Sequence, residues 1–219
     1  MEEIVPQRAS AGMSNQVRPQ RVLLSSFYLA PAEYYSRLHS AESAVIEIHD
    51  NYQKQSYRNR CIIAGANGIL SLSIPVEKPT STHCSMKDAR IAAHGNWQHL
   101  HWNAIVSAYN STPFFQYYED DFRPFYERRF DFLYDWNEML RQLIARLIGI
   151  ETAVSYTSEY GGSASANLTD LREHIHPKKT STYTTKPYYQ VFAERHGFIP
   201  NLSIIDLLFH MGNESRLCL

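Results

Sequence analysis

At 219 residues, with 21 basic and 22 acidic side chains, the chain is long enough for one domain with a substantial core and too short for two of ordinary size. The near-neutral balance gives no support for a nucleic-acid or anionic-membrane partner engaged by the surface as a whole. Three cysteines without CxxC spacing argue against a disulfide framework or a structural zinc site.

Residues 1–20 are polar and aperiodic and contain two prolines, so they read as a mobile N-terminal tail, leaving 21–219 as the folded domain. The start, Met1-Glu2-Glu3-Ile4, has neither a basic nor an apolar leader segment, and the most apolar helical stretch, Leu143 to Ile150, is interrupted by Arg146 and is far below spanning length. A soluble, cytoplasmic protein without a membrane span is expected. Order begins at Arg21: Val22-Leu23-Leu24 suits a buried strand, Ala32 to His39 suits a helix with Pro31 at its opening, and Ala44 to Ile48 suits a second strand. This strand–helix–strand unit favours a parallel pair. A hairpin follows, with arms Arg60 to Ala64 and Ile69 to Ile74 around the turn Gly65-Ala66-Asn67-Gly68. Glu77 to His83 is a loop rich in Pro, Ser and Thr.

The middle of the chain changes to helical period. Asn96 is placed to open a helix with Trp97, Leu100, His101, Ala104, Ile105 and Ala108 on one stripe. Pro113 can open the aromatic segment Phe114 to Tyr118, and Leu133 to Ile148, closed by Gly149, is the cleanest amphipathic helix. Ala153 to Tyr160 reads as a strand and Gly161 to Ser165 as a flexible loop. Order resumes at Tyr188 to Ala193, and Ser203 opens a last helix, Ile204 to His210, stopped by Gly212. The fold class expected is α/β: one domain whose small mixed sheet, built from the strand–helix–strand unit and the hairpin, is covered by a largely helical C-terminal half.

Between the second strand and the hairpin lies a polar block, His49 to Arg60, about twice the usual loop length and without Gly or Pro. It carries Lys54, Arg58 and Arg60, the tyrosines Tyr52 and Tyr57, and several amides including Asn59. Arg58 and Arg60 are two apart, so an extended backbone points both to one face, where they can jointly grip a phosphate, a carboxylate or a sugar. The alternative is that they pair with carboxylates of the chain. The 15 tyrosines suit sugar or nucleotide rings, and equally half-buried packing positions. His101 sits on the apolar stripe of its helix, as a general base or as a core histidine. Its neighbours His94 and His99 do not give zinc spacing, so no metal site is expected. Ser203 and Asp206 fit a helix start. Cys61 reads as a buried strand residue or a thiol activated by Arg60. The chain has no G-x-S-x-G elbow, Gly-rich phosphate loop, HExxH or EF-hand pattern.

Several blocks resemble the WbqC-like family. Leu24 to Tyr35 is similar to its QPxYFPxxxYF opening, with Ser25-Ser26 standing where Gln-Pro is usual; Tyr52 to Arg60 is similar to its Y-x-K-x-x-W-x-N-R, with Tyr57 at the aromatic position. Leu72 to Val76, Trp97-x3-His101 with Tyr109 and Pro113-Phe114-Phe115, and Asn201 to Phe209 complete the set. The resemblance implies a setting in bacterial surface-polysaccharide (O-antigen or capsule) biosynthesis, with acyl or aminoacyl transfer to an activated amino sugar as the reaction class and no cofactor specified. On that reading the ligand is a small molecule, anionic or a nucleotide sugar. Lys54, Arg58 and Arg60 hold its phosphate or carboxylate, Asn59 belongs to the same binding block, and Tyr28, Tyr52 and Tyr57 stack on its ring. His101 is the base, and Asp206 orients it or pairs with a cation. A non-catalytic binding or assembly protein of the same pathway is the rival, and nucleotide binding at the ends of the opening strands is a third reading.

Overall fold

The apolar run at 22–24 becomes β1 (Arg21–Ser25), followed by α1 (Ala32–Ser40) and β2 (Ser43–Glu47), so the strand–helix–strand opening stands where it is expected. The computed structural model describes residues 21–78, 83–161 and 168–219; the expected N-terminal tail, the centre of the Pro/Ser/Thr-rich loop and most of the Gly161–Ser165 loop lie outside them. β1 and β2 pair in parallel, Val22 with Ala44 through Ser25 with Glu47. Both are buried over four consecutive residues, the continuous burial of a strand covered on two faces. Two later strands complete a four-stranded parallel sheet in the order β5–β2–β1–β6: β5 (Ala153–Tyr156) joins β2, and β6 (Leu168–Asp170) joins the far side of β1. The central strand is therefore flanked by its immediate successor on one side and by a segment from late in the chain on the other.

The hairpin, β3 (Arg60–Gly65) and β4 (Gly68–Ser73), forms a separate antiparallel sheet. The expectation of one mixed sheet is refined to a parallel sheet plus a hairpin sheet. The reason is that the outer side of β3 is taken by the C-terminal segment: the Ser203 N–H donates to the Ile62 carbonyl at 2.8 Å.

Three helices supply the bulk of the cover. α2 (Trp97–Tyr109) and α4 (Leu133–Ile148) match the periodic segments, and Gly149 closes α4 in the left-handed conformation (φ 77°) that a Cβ disfavours. α3 (Phe115–Glu127) runs well past the expected aromatic segment, through Pro124. That proline removes one helical N–H late in the helix, and the Gln98 amide satisfies carbonyls just beyond it, donating to Phe125 (3.0 Å) and Arg128 (2.5 Å). A single turn, α5 (Ala193–His196), precedes α6 (Ile204–Met211), of which every residue but the last is buried. Trp136 of α4 is the largest fully buried side chain and meets the rings of Trp97, Phe125, Tyr126 and Phe130 at centroid distances of 4.8–6.1 Å. One hydrophobic cluster runs through β1, β2, β3 and all the long helices.

The blocks that carry the family resemblance meet around the turn after β1. Leu29 there is left-handed (φ 40°), a strained conformation for leucine. The Ser203 hydroxyl holds it by donating to the Leu29 carbonyl at 2.7 Å, while the Ile204 and Ala32 amides bond to the carbonyls of Ala30 and Leu202. Ser203 thus opens α6 without a capping bond from its side chain, which is spent on the turn. The Tyr28 amide donates to the Tyr57 carbonyl at 2.8 Å, tying the same turn to the polar block.

Candidate functional site

Because all four strands of the larger sheet run the same way, their carboxyl ends lie along one edge, and the polar block folds over that edge. β1 ends at Ser25, β2 at Glu47 and β6 at Asp170; Asp50, Arg58, Arg172 and Glu173 follow in the adjoining loops. Arg58 is 1 % exposed. Its Nη2 pairs with Asp50 Oδ2 and reaches Glu173 Oε1 at 3.2 Å and the Ser25 hydroxyl at 3.4 Å. Ser25 in turn donates to Asp50 at 3.2 Å, and Gln53 donates to Glu173 Oε1 at 3.1 Å. Asp50 is buried with Arg58, whereas the Glu173 side chain is 54 % exposed and opens the cluster to solvent.

Beside it stands a second charged group. Glu47 is fully buried at the end of β2, where its Oε1 accepts from the Thr157 hydroxyl (2.7 Å) and the His49 amide (2.9 Å). Its Oε2 accepts from the Gly161 amide and from Arg172 Nη1, both at 3.3 Å. Arg172 also grips both oxygens of Asp170 at 2.7–3.1 Å and lies 5.4 Å over the Tyr160 ring. Hydrogen bonding to Arg172 holds the Asp170 carboxyl below its usual range. His176, half-buried in the same loop, is depressed by burial first; Glu173 opposes the shift, and Lys179, Arg58 and Lys178 add to it. Its Nδ1 accepts the Lys178 amide at 3.1 Å, which leaves the proton of the neutral ring on Nε2.

The structure distributes the expected site residues among several places. Residues 54–59 turn instead of running extended, so Arg58 and Arg60 do not share a face. Arg58 goes into the charged cluster, while Arg60, half-buried at the start of β3, donates from Nε to the Ser73 hydroxyl at 3.0 Å. The joint two-arginine grip is corrected on that ground. Lys54 is exposed. Asn59 donates to the Ile74 carbonyl at 2.8 Å and so stitches the block to the hairpin. Tyr57 is buried against Phe27, and Tyr52 is half-buried; burial pushes both phenols up to about 12.

His101 and Tyr28 meet in the interior. The Tyr28 hydroxyl bonds to His101 Nδ1 at 3.1 Å and to the Tyr126 hydroxyl at 3.0 Å, and the His101 ring makes a further bond to the Ser73 backbone. Burial drives the His101 pKa down to about 4, the Ser73 bond opposing it, so the ring is neutral at pH 7. Asp206 is fully buried elsewhere, accepting from Tyr109 (3.0 Å), Tyr188 (2.6 Å) and Gln190 (2.9 Å). Among the described residues no hydrogen bond links His101 to Asp206 or to Arg58. Cys61 is buried on β3 and burial pushes its thiol up, away from an activated thiolate. Glu47, Asp50, Arg172, Glu173 and His176 were missed as candidates. Arg172-Glu173-His174-Ile175-His176-Pro177-Lys178-Lys179 was the available signal, a dense run of charge and imidazole after a short apolar run.

Among the described residues, no helix is long and apolar enough to cross a membrane, and no group of three or more His, Cys, Asp or Glu is arranged to hold a metal ion. Fold and edge together define a parallel α/β protein with a buried charged cluster at the carboxyl ends of its strands. The family model of the WbqC-like protein family matches residues 26–187, and the chain belongs to that family. It is also similar to the uncharacterized protein Rv1507c of Mycobacterium tuberculosis, 23 % identical over 218 residues that cover 88 % of this chain and 94 % of that one. No solved structure matches the chain significantly.

Proposed function

We propose that the protein is a transferase of bacterial surface-polysaccharide assembly that moves an acyl or aminoacyl group onto an activated amino sugar, and that the carboxyl edge of its parallel sheet is the ligand site. The observation that carries this reading is the Arg58–Asp50 pair, buried with Ser25 at the strand ends and joined there by the exposed Glu173. A buried ion pair contributes little stability compared with apolar residues of the same volume, so its presence asks for another reason. Open α/β sheets bind ligands at this edge, and family membership supports the polysaccharide setting.

In this reading Glu173, the accessible carboxylate of the cluster, takes the proton from the sugar amine as it attacks the acyl carbonyl; the new C–N bond replaces the bond to the donor's leaving group, the C–S bond of an acyl thioester, and the departing thiolate takes the proton that Glu173 holds. The Nε2–H of neutral His176 donates to the carbonyl oxygen as charge develops there. His101 and Asp206, whose polar atoms are engaged inside the core, hold the scaffold.

A thermal-shift screen against nucleotide sugars, acyl-CoA thioesters and free nucleotides tests the proposal. A ligand at about a hundred times its Kd stabilises by about 2.7 kcal/mol, which raises Tm by about 5–11 °C for a chain of this size. Glu173→Gln is expected to lose transfer while keeping about half of the nucleotide-sugar shift, since a tenfold weaker Kd leaves about 1.4 kcal/mol of the stabilisation. Binding without transfer in the wild type favours the non-catalytic rival, and no shift from any class counts against the site itself.

A further inference from the structure

We propose that the strand-end cluster reads hydroxyl groups: the part of the ligand seated against Arg58 is a neutral polyhydroxylated ring, and phosphate is kept off it. This rests on the placement of the site under the proposed function and adds which chemical moiety occupies it.

The hydrogen-bond inventory decides the point. Four carboxylates, Glu47, Asp50, Asp170 and Glu173, surround two guanidiniums, Arg58 and Arg172. Arg172 has Nε, Nη1 and Nη2 all committed to Asp170 and Glu47. Arg58 has Nη2 shared among Asp50, Glu173 and Ser25. An incoming phosphate therefore finds both guanidiniums already paired with carboxylates, and Lys179 Nζ bonded to the Glu173 carbonyl at 2.5 Å.

Arg58 also carries a donor that is both buried and unpartnered. Arg58 Nε is buried and has no hydrogen-bond partner among the described residues, a costly condition for an N–H of a charged group. Asn137 shows the complementary defect. Its amide N–H groups bond to the Arg58 carbonyl (2.8 Å) and the Ser26 hydroxyl (3.3 Å), and its Oδ1 is buried and unpaired. An orphan donor and an orphan acceptor thus accompany an acid-rich rim. Phosphate oxygens accept only, and an ammonium donates only. A hydroxyl does both: it accepts from Arg58 Nε and donates to Glu173 or Asp50. A sugar ring presents several hydroxyls at adjacent carbons and matches the mixture, so the phosphates of an activated sugar point away from the cluster.

Titration calorimetry on the full chain separates the two moieties. The probes are a panel of methyl pyranosides, the matching nucleoside-diphosphate sugars, and UDP, GDP and dTDP without sugar. A methyl pyranoside is expected to bind wild type, and Glu173→Gln is expected to weaken it about tenfold, the loss of one charge-assisted bond. Binding of the free nucleoside diphosphate is expected to be unchanged by Glu173→Gln. The variant removes a half-exposed carboxylate, and matched melting curves confirm that it folds. Should pyranosides fail to bind while nucleotide sugars and free diphosphates bind alike, the hydroxyl assignment is overturned and the proposed function stands. Tighter diphosphate binding by Glu173→Gln overturns it as well, because it places phosphate beside the carboxylates. If neither sugars nor nucleotides bind, the assignment falls together with the reading it rests on.

Discussion

Replacing Asp50 by alanine leaves the Arg58 guanidinium buried without its closest counter-charge. Arg58 is 1 % exposed and the Asp50 side chain 9 %, so water cannot take the place of the lost carboxylate. Removing one member of a buried pair costs about 3–5 kcal/mol. Glu173 remains 3.2 Å from Arg58, but at 54 % side-chain exposure its charge is screened, and it offsets only part of the loss. The lower end, about 3 kcal/mol, is the expected destabilisation, equivalent to about 6–12 °C in Tm for a chain of this length. Scanning calorimetry at pH 7, with urea unfolding as a second measure, reads it directly. The double variant Asp50→Leu/Arg58→Met is expected to recover most of the stability, because an apolar pair of similar volume removes the desolvation cost of both charges. An Asp50→Ala protein melting within about 2 °C of wild type, or a double variant less stable than the single one, refutes the picture of a buried, mutually dependent pair.

His101 makes stability depend on pH in a defined direction. Its folded pKa of about 4 lies below the ordinary 6.5, so the unfolded chain binds the extra proton and stability falls as pH drops from about 6.5 towards 4. Between pH 7.5 and pH 5 this one group is expected to contribute a loss of about 2 kcal/mol, measured as the difference in urea-unfolding free energy between wild type and His101→Gln over the same range. Tyr28→Phe deprives His101 Nδ1 and the Tyr126 hydroxyl of a common partner and is expected to destabilise by about 1–3 kcal/mol in the same assay. Gly212 is left-handed (φ 60°), and a Cβ there would lie 2.8 Å from the Phe114 ring. Gly212→Ala is therefore expected to lower stability by about 1–3 kcal/mol through overpacking and backbone strain, seen as a fall in Tm.

The elements that were legible in the sequence are those whose information is local. α4 carries its apolar period and its closing glycine within one stretch, and the hairpin carries its turn, so both appear within a residue or two of expectation. α3 runs nine residues past the expected aromatic segment and through Pro124, and the Gln98 amide that covers the carbonyls just beyond that proline comes from another helix. β6 is three residues long and exists through pairing with β1, almost 150 positions earlier. The polar block was visible as an oversized connector rich in donors, but its partners were not. Glu173 and Arg58 are separated by 115 residues, and Arg172 and Glu47 by 125, and nothing local in the chain announces such pairs. The same distance effect explains the histidines. His101 drew notice because it stands on a helix with strong period, and that period signals burial; His176 lies in an irregular loop, and only the parallel sheet brings it to the strand ends.

The central claim, that the carboxyl edge of the parallel sheet is the ligand site, is tested most directly by a crystal structure with the nucleotide sugar that gives the largest thermal shift. The account predicts a sugar ring at the strand ends with a hydroxyl oxygen within hydrogen-bond distance of Arg58 Nε and another against Glu173. A sugar bound beside His101 or on the hairpin, with only water at the strand ends, contradicts it.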